Sequence, residues 1–334
     1  MPHPPSPAPA RAGDHFRIGA RPELAGLVLG FAADLAFGDP RRGHPVAAFG
    51  RTAAALEARL WRDDRAAGAA YTALCAGGAA AAAAALARLA RGAGATATAG
   101  LTAAAAWSVL GGTGLAAEAQ AVGEALGRGD LDGARARLPH LCGRDPQALD
   151  ADGLARAVVE SVAENTSDAV VGALVWGAAA GLPGLVGFRA VNTLDAMVGH
   201  RSPRLRRFGW ASARLDDAAG FPGARLTAAT AALAGPEPRA ALRAWRRDAH
   251  RHPSPNAGPV EAAFAGALGV RLGGTLSYGG RTEQRPVLNA PGRAVEPSDI
   301  PRAVRLSRTV SVVSLGLVVS ARLAAGALRR GEGR

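Results

Sequence analysis

Twenty consecutive residues without a charge, Ala169 to Phe188, are flanked on both sides by carboxylates and amides. E-S-V-A-E-N-T-S-D (160–168) precedes the run; R-A-V-N-T-L-D-A-M-V-G-H (189–200) and F-G-W-A-S-A-R-L-D-D (208–217) follow it. About 20 apolar residues suffice to cross the roughly 30 Å of hydrocarbon in a bilayer. Polar groups set against such a run are costly and mark function. The run also contains G-L-P-G (181–184), and a proline between glycines breaks a helix. A single crossing would put the two polar clusters on opposite faces of the membrane. A broken, re-entrant hairpin over 169–199 would put both at one mouth, with its irregular backbone lining a cavity.

Two more runs lack charge, Ala66–Ala87 and Gly92–Ala117. Both are long enough to span, and the Arg88–Arg91 segment between them predicts a helical hairpin. Ala and Gly dominate them, which suits close approach of membrane helices; a soluble Ala-rich bundle is the competing reading. Leu24–Phe37, interrupted by Asp34, predicts a tilted first helix or one lying against others. Thr309–Ala321, between Arg308 and Arg322, is a final apolar run whose arginines can snorkel. The expected fold is therefore all-α: a polytopic membrane helical bundle. Residues 1–20, rich in Pro and Ala, read as a disordered tail without the apolar core of a signal peptide. Residues 21–330 read as one helical membrane domain with polar loops at 38–65, 118–168 and 200–305. Within the second loop, Gly129-Asp130 separates two short amphipathic helices.

All 39 basic residues are Arg, so no lysine is available as Schiff base or for a Walker-type phosphate loop. The net charge of +12 admits nucleic acid, an anionic membrane or acidic substrates as partners. Aromatics are only 4% and the arginines are scattered among acids, which argues against nucleic acid. Positive loops between apolar runs favour the lipid bilayer. Cys75 and Cys142 have no metal or redox spacing, so neither disulfide nor zinc is expected.

Glu160, Glu164 and Asp168 are spaced by four, which puts three carboxylates on one helical face beside Asn165. Like charges at this spacing repel, so a cation is expected opposite: a metal ion, an Arg or an amine substrate. A solvated acidic face is the plain alternative. Asn192 and Asp195 share a second face. Among the arginines that follow, Arg201, Arg204, Arg206 and Arg207 read as a positive collar, whereas Arg214, Asp216 and Asp217 lie together and read as site residues. Asp39 and His44, in G-D-P-R-R-G-H-P-V (38–46), suit substrate or metal contact, or else mere turn capping. H-P-S-P-N-A-G (252–258) cannot be helix. It is a rigid loop that presents His252, Ser254 and Asn256, and Ser254 lacks the elbow motif of a nucleophile.

These segments, with E-A-A-F-A-G-A-L-G-V-R-L-G-G (261–274), occur in an order that closely resembles the CobD/CbiB cobalamin-biosynthesis family. The likeness runs from about residue 24 to 325; His200 stands where the commoner pattern has Tyr. The resemblance implies an adenosylcobinamide-phosphate synthase-like enzyme of the cell membrane, with several spans. Such an enzyme is an ATP-dependent amide-forming ligase. It joins the free propionate of adenosylcobyric acid to (R)-1-amino-2-propanol or its O-phosphate, and other corrinoid-pathway membrane enzymes are its expected neighbours. Activating a carboxylate calls for ATP and Mg²⁺, and Mg²⁺ calls for carboxylates plus phosphates. On that basis Glu160, Asp168 and Asp195 are expected to hold metal. Glu164, Asp217 and His252 are the expected acid–base groups. Asp39, His44, Asn165, Asn192, Arg214, Ser254 and Asn256 are expected to bind substrate, with Arg189 or Arg207 aiding Arg214 at phosphate. A transporter or sensor is the competing class, and the internal repeat that a transporter would need is absent from the sequence.

Overall fold

The computed structural model describes residues 20–40, 43–200, 202–278 and 281–331. The expected tail, 1–20, lies outside them except for Ala20. The first helix, α1 (Ala20–Phe37), packs on α5 (Ala95–Val109). Its Gly26 and Gly30 lie so close to Ala99, Thr102, Ala103 and Ala106 that a side chain at either position would collide. A small-xxx-small stripe of this kind lets backbones touch where no hydrophobic effect drives helices together.

Between them come α2 (Pro45–Leu60), α3 (Arg65–Thr72) and α4 (Gly78–Ala93). A π-turn, Ala73–Gly77, joins the last two into one long rod. The reversal expected at Arg88–Arg91 falls at Gly94 instead, where φ is 110° and only glycine is comfortable. The run expected to continue to Ala117 breaks at Leu110-Gly111, after which α6 (Gly112–Gly127) begins. Gly129 and Asp130 do separate α6 from a short helix, α7 (Leu131–Arg137), and Asp130 caps the latter.

The uncharged run takes its expected broken form. α8 (Ala151–Asn165) passes through a π-turn (Thr166–Val171) into α9 (Gly172–Val198). Inside α9, Gly181 has φ 66° and ψ −151°, a conformation essentially reserved for glycine. The chain folds back there. A side chain on Gly172 would strike the Phe188 ring, and one on Gly177 would meet Leu185. Ala169 to Phe188 is therefore a hairpin whose arms face one another.

Next come α10 (Trp210–Ala234), α11 (Pro238–Asp248) and α12 (Ala257–Leu268), then strands β1 (Leu272–Tyr278) and β2 (Arg281–Leu288), and finally α13 (Ile300–Gly331). The stretch 200–305, expected as a polar loop, thus folds largely into helices and one antiparallel β-hairpin with Leu272 opposite Leu288. Glycines and arginines interrupt the alternation of apolar residues in these strands, so the sequence carries no clear strand pattern.

Among the described residues the core comprises a small apolar cluster of Ala53, Tyr71, Leu194 and Phe208 beside the returning arm, and two large layers. The first joins α1, α4, α5, both hairpin arms and the middle of α13 through Leu27, Leu174, Leu185 and Leu315. The second joins α6, α8, α10, α12 and the start of α13 through Val122, Val158, Ala228, Phe264 and Val304. Among the described residues, four helical stretches are long and apolar enough to cross a membrane: Arg65–Ala93, Ala95–Gly127, Ala151–Val198 and Pro297–Leu328. The third of these contains the hairpin. Leu29, Phe37, Leu86, Leu89, Leu233, Val312 and Leu317 turn outward, as lipid-facing side chains do. The protein is an all-α membrane bundle with one β-hairpin.

Candidate active site at the mouth of a helical hairpin

Because the chain reverses at Gly181, residues before the run return to residues after it. Asp168 comes within charge–charge range of Glu164, Asp195, Asp216 and the Arg189 guanidinium. The π-turn at Thr166–Val171 opens the helix at this point, and such turns recur at functional sites. Its wider turn is anchored by Thr166, whose hydroxyl donates to Ser307 Oγ on α13 at 2.6 Å. Glu164 is solvent-exposed yet surrounded by the charges of Arg285, Arg144, Glu160 and Asp195. It therefore faces a cleft within the molecule and not its outer surface.

Neighbouring elements complete the mouth. Asn192 donates to Asp216 Oδ1 at 3.5 Å and accepts from Arg189 Nη1 at 3.4 Å. Burial, and then the nearby Asp195 carboxylate, push the Asp216 carboxyl up to about 7 against the pull of the Asn192 amide. Asp39 reaches the same region from the α1–α2 loop, within charge range of His44 and Arg189; burial raises its carboxyl more than these cations lower it. His44 caps α2, its Nδ1 accepting from Val46 N–H at 3.2 Å. Beside the mouth, between α2, α4, α5 and the returning arm, lies a largely apolar cavity of about 430 Å³ with Phe49 and Trp107 in its wall and Arg189 at its edge.

The H-P-S-P-N-A-G loop is fastened to this centre. Asn256 Nδ2 donates to the Asp217 carbonyl at 2.9 Å, and its Oδ1 accepts from Arg225 Nη1 at 2.9 Å. Ser254 Oγ accepts from the N–H groups of Asn256 and Ala257, which starts α12. Both residues, expected at substrate, are engaged in shaping the loop. His252 is buried as well. Its Nδ1 accepts from Ser254 N–H at 3.1 Å, and its Nε2 faces Glu261 Oε1 at 3.7 Å. With both ring nitrogens engaged, it is a bracket and not a ready proton acceptor. Asn165 donates back to Ser161 O at 2.9 Å. Arg214 points outward and pairs with Asp217 at 3.5 Å.

The three expected metal ligands do not form one set. The Glu160 carboxylate is filled by the Arg144 guanidinium and by the Gly273 N–H, the latter at 2.6 Å. Among the described residues, no three carboxylate, imidazole or thiolate side chains lie close enough to enclose a metal ion by themselves. Magnesium asks for less: it keeps several waters and takes one or two carboxylates plus substrate phosphates. Asp168 and Asp195, on opposing arms with Asp216 nearby, fit that demand; Glu160 does not.

Sequence reasoning missed Arg144, Glu261 and Arg285, which with Glu160 form a buried ionic cluster next to Glu164. Burial, then Glu160 and Glu164, drive the Glu261 carboxyl well above its ordinary range, against Arg144 and Arg285. A lone carboxylate in the apolar run Ala257–Leu268 was a readable signal for Glu261. Nothing in the spacing of Arg144 or Arg285 announced them.

The sequence pattern of the CobD/Cbib protein family matches residues 27–307. The chain is similar to "Cobalamin biosynthesis protein CobD" of Mycobacterium tuberculosis, 52% identical over 298 residues covering 88% of this chain and 94% of the relative. The protein of the same description from Chromobacterium violaceum is 41% identical over 312 residues, covering 90% and 97%. That from Stutzerimonas stutzeri is 46% identical over 283 residues, covering 82% and 89%. No solved structure matches the chain.

Proposed function

The chain belongs to the CobD/Cbib family of cobalamin biosynthesis, and on that premise we propose that it forms an amide between a corrinoid carboxylate and aminopropanol or its phosphate. The observation that carries the proposal is the convergence of Glu164, Asp168, Asn192, Asp195 and Asp216 at one mouth between two apolar layers. A carboxylate and an ammonium ion do not condense in water. The carboxylate must first be activated, and ATP is the activating agent we propose. A carboxylate oxygen of the free propionate attacks the terminal phosphorus and ADP departs. The amine nitrogen then attacks the acyl carbon, the C–N bond forms and inorganic phosphate leaves.

Each step asks something of the residues. Arg189, in range of both Asp39 and Asp168, is placed to meet the transferred phosphoryl group, since guanidinium grips phosphate oxygens in a fork. Mg²⁺ between Asp168 and Asp195 would screen the phosphate charge. The substrate ammonium must lose a proton before it can attack. Glu164, open to the cleft, takes that role in preference to buried His252. Asn192 holds the Asp216 carboxylate and the Arg189 guanidinium in register. The apolar cavity suits one apolar edge of the substrate, held beside this chemistry.

The test is product mass spectrometry with purified protein, adenosylcobyric acid, aminopropanol or its phosphate, and Mg-ATP. A corrinoid mass gain equal to amide formation, with ADP release, is expected. An unchanged corrinoid with either amine would overturn the proposal.

A further inference from the structure

Asp34 is 1% exposed on α1, and its Oδ1 atom is buried without a hydrogen-bond partner. Its other oxygen, Oδ2, accepts the Thr113 N–H at 3.3 Å and the Thr113 hydroxyl at 3.4 Å, at the first turn of α6. Asp39 lies within charge range of it and also has a buried, unpartnered Oδ1. The two carboxylates converge on one turn: a side chain on Gly112 would meet Asp34 Oδ2 and one on Gly114 would meet Asp39 Oδ2. The loop that carries Asp39 is held by Trp107 Nε1, which donates to Gly38 O at 2.7 Å.

This arrangement is costly unless something occupies it. A buried polar atom left unpaired loses its hydration with no return. The positive end of α6 offsets only about half a charge, and Asp34 already uses it. Arg189 is in range of Asp39 but is shared with Asp168. Among the described residues, no cationic side chain bonds to Asp34.

We propose that Asp34 and Asp39 hold a divalent cation between their carboxylates at the start of α6, at the edge of the hairpin mouth and apart from the Asp168–Asp195 pair. A doubly charged ion cancels the two carboxylates together. All-oxygen donors select a hard ion, and two carboxylates with waters fit Mg²⁺ or its probe Mn²⁺. The ion would tie α1 to α6 and, through Gly111 N–H donating to Ala169 O at 3.3 Å, to the π-turn that carries Asp168. The inference does not rest on the proposed reaction.

Purified full-length protein in detergent, without nucleotide or corrinoid, is titrated with Mn²⁺ while free Mn²⁺ is read by electron paramagnetic resonance. One bound ion per chain is expected. Asp34→Asn and Asp39→Asn should each weaken it by about tenfold or more, and Asp195→Asn should leave it in place. Circular dichroism and gel filtration establish that each variant is folded; two near-isosteric variants guard against one that is not. Absence of bound Mn²⁺ at millimolar concentration would mean that the pair shares a proton, and would overturn the proposal. So would undiminished binding in both Asp34→Asn and Asp39→Asn, or loss in Asp195→Asn alone.

Discussion

Placing a methyl group on Gly172 tests whether the uncharged run folds back on itself. In the hairpin that methyl lands in the Phe188 ring, which is only 4% exposed and has no room to withdraw. Overpacking of this kind costs about 1–3 kcal/mol. Phe188→Ala empties the space opposite and costs about 3–5 kcal/mol through the cavity it leaves. Combined, the new methyl sits in the vacated volume, so the double variant should be more stable than the two separate losses imply, by about 0.5–3 kcal/mol. If α9 ran straight, the sixteen residues separating positions 172 and 188 would span about 24 Å. At that distance the two effects would simply add to within about 0.5 kcal/mol. Unfolding in mixed micelles, followed by helical circular dichroism for the four proteins of the cycle, measures the coupling. Strict additivity would refute the reversal at Gly181.

The remaining predictions concern the charges. Glu164→Gln and Asp195→Asn should each lower turnover by about a hundredfold or more while helical content is kept; near-normal rates in both would remove the mouth from the chemistry. Arg144→Met strands the Glu160 carboxylate, whose side chain is 4% exposed, and should cost about 3–5 kcal/mol in the same micelle assay. Arg247 holds the Asp248 carboxyl below its ordinary value of 3.8, outweighing burial, and the Asn289 N–H helps. That contribution is present above pH 3.8 and is lost as pH falls through the lower folded value. The melting temperature should therefore drop more steeply with acid in the native chain than in Asp248→Asn; parallel slopes would exclude the pair.

Much of this was legible in the residues, and the exceptions have physical causes. The hairpin could be read because proline and glycine cannot continue a helix, and because stranding two polar clusters on opposite faces made poor chemistry. The four-residue spacing of Glu160, Glu164 and Asp168 was real but led too far. A shared face says which residues are neighbours, not which partner each will meet. Glu160 meets Arg144 and Gly273, which lie outside its own helix. His252, Ser254 and Asn256 looked like substrate donors because polar groups were concentrated in a proline-rich loop. The same loop needs those donors to cap α12 and grip α10. Asp34, read only as an interruption in an apolar helix, became informative once α6 placed Thr113 and Asp39 beside it.

The most direct test of the central claim uses accessibility. Glu164→Cys and Asp195→Cys are made singly in a background with Cys75→Ser and Cys142→Ser. Each is labelled with a membrane-impermeant maleimide in sealed vesicles of both orientations. Labelling of both positions from the same face is expected, because the arms return to one mouth. Labelling of the two from opposite faces would contradict the account.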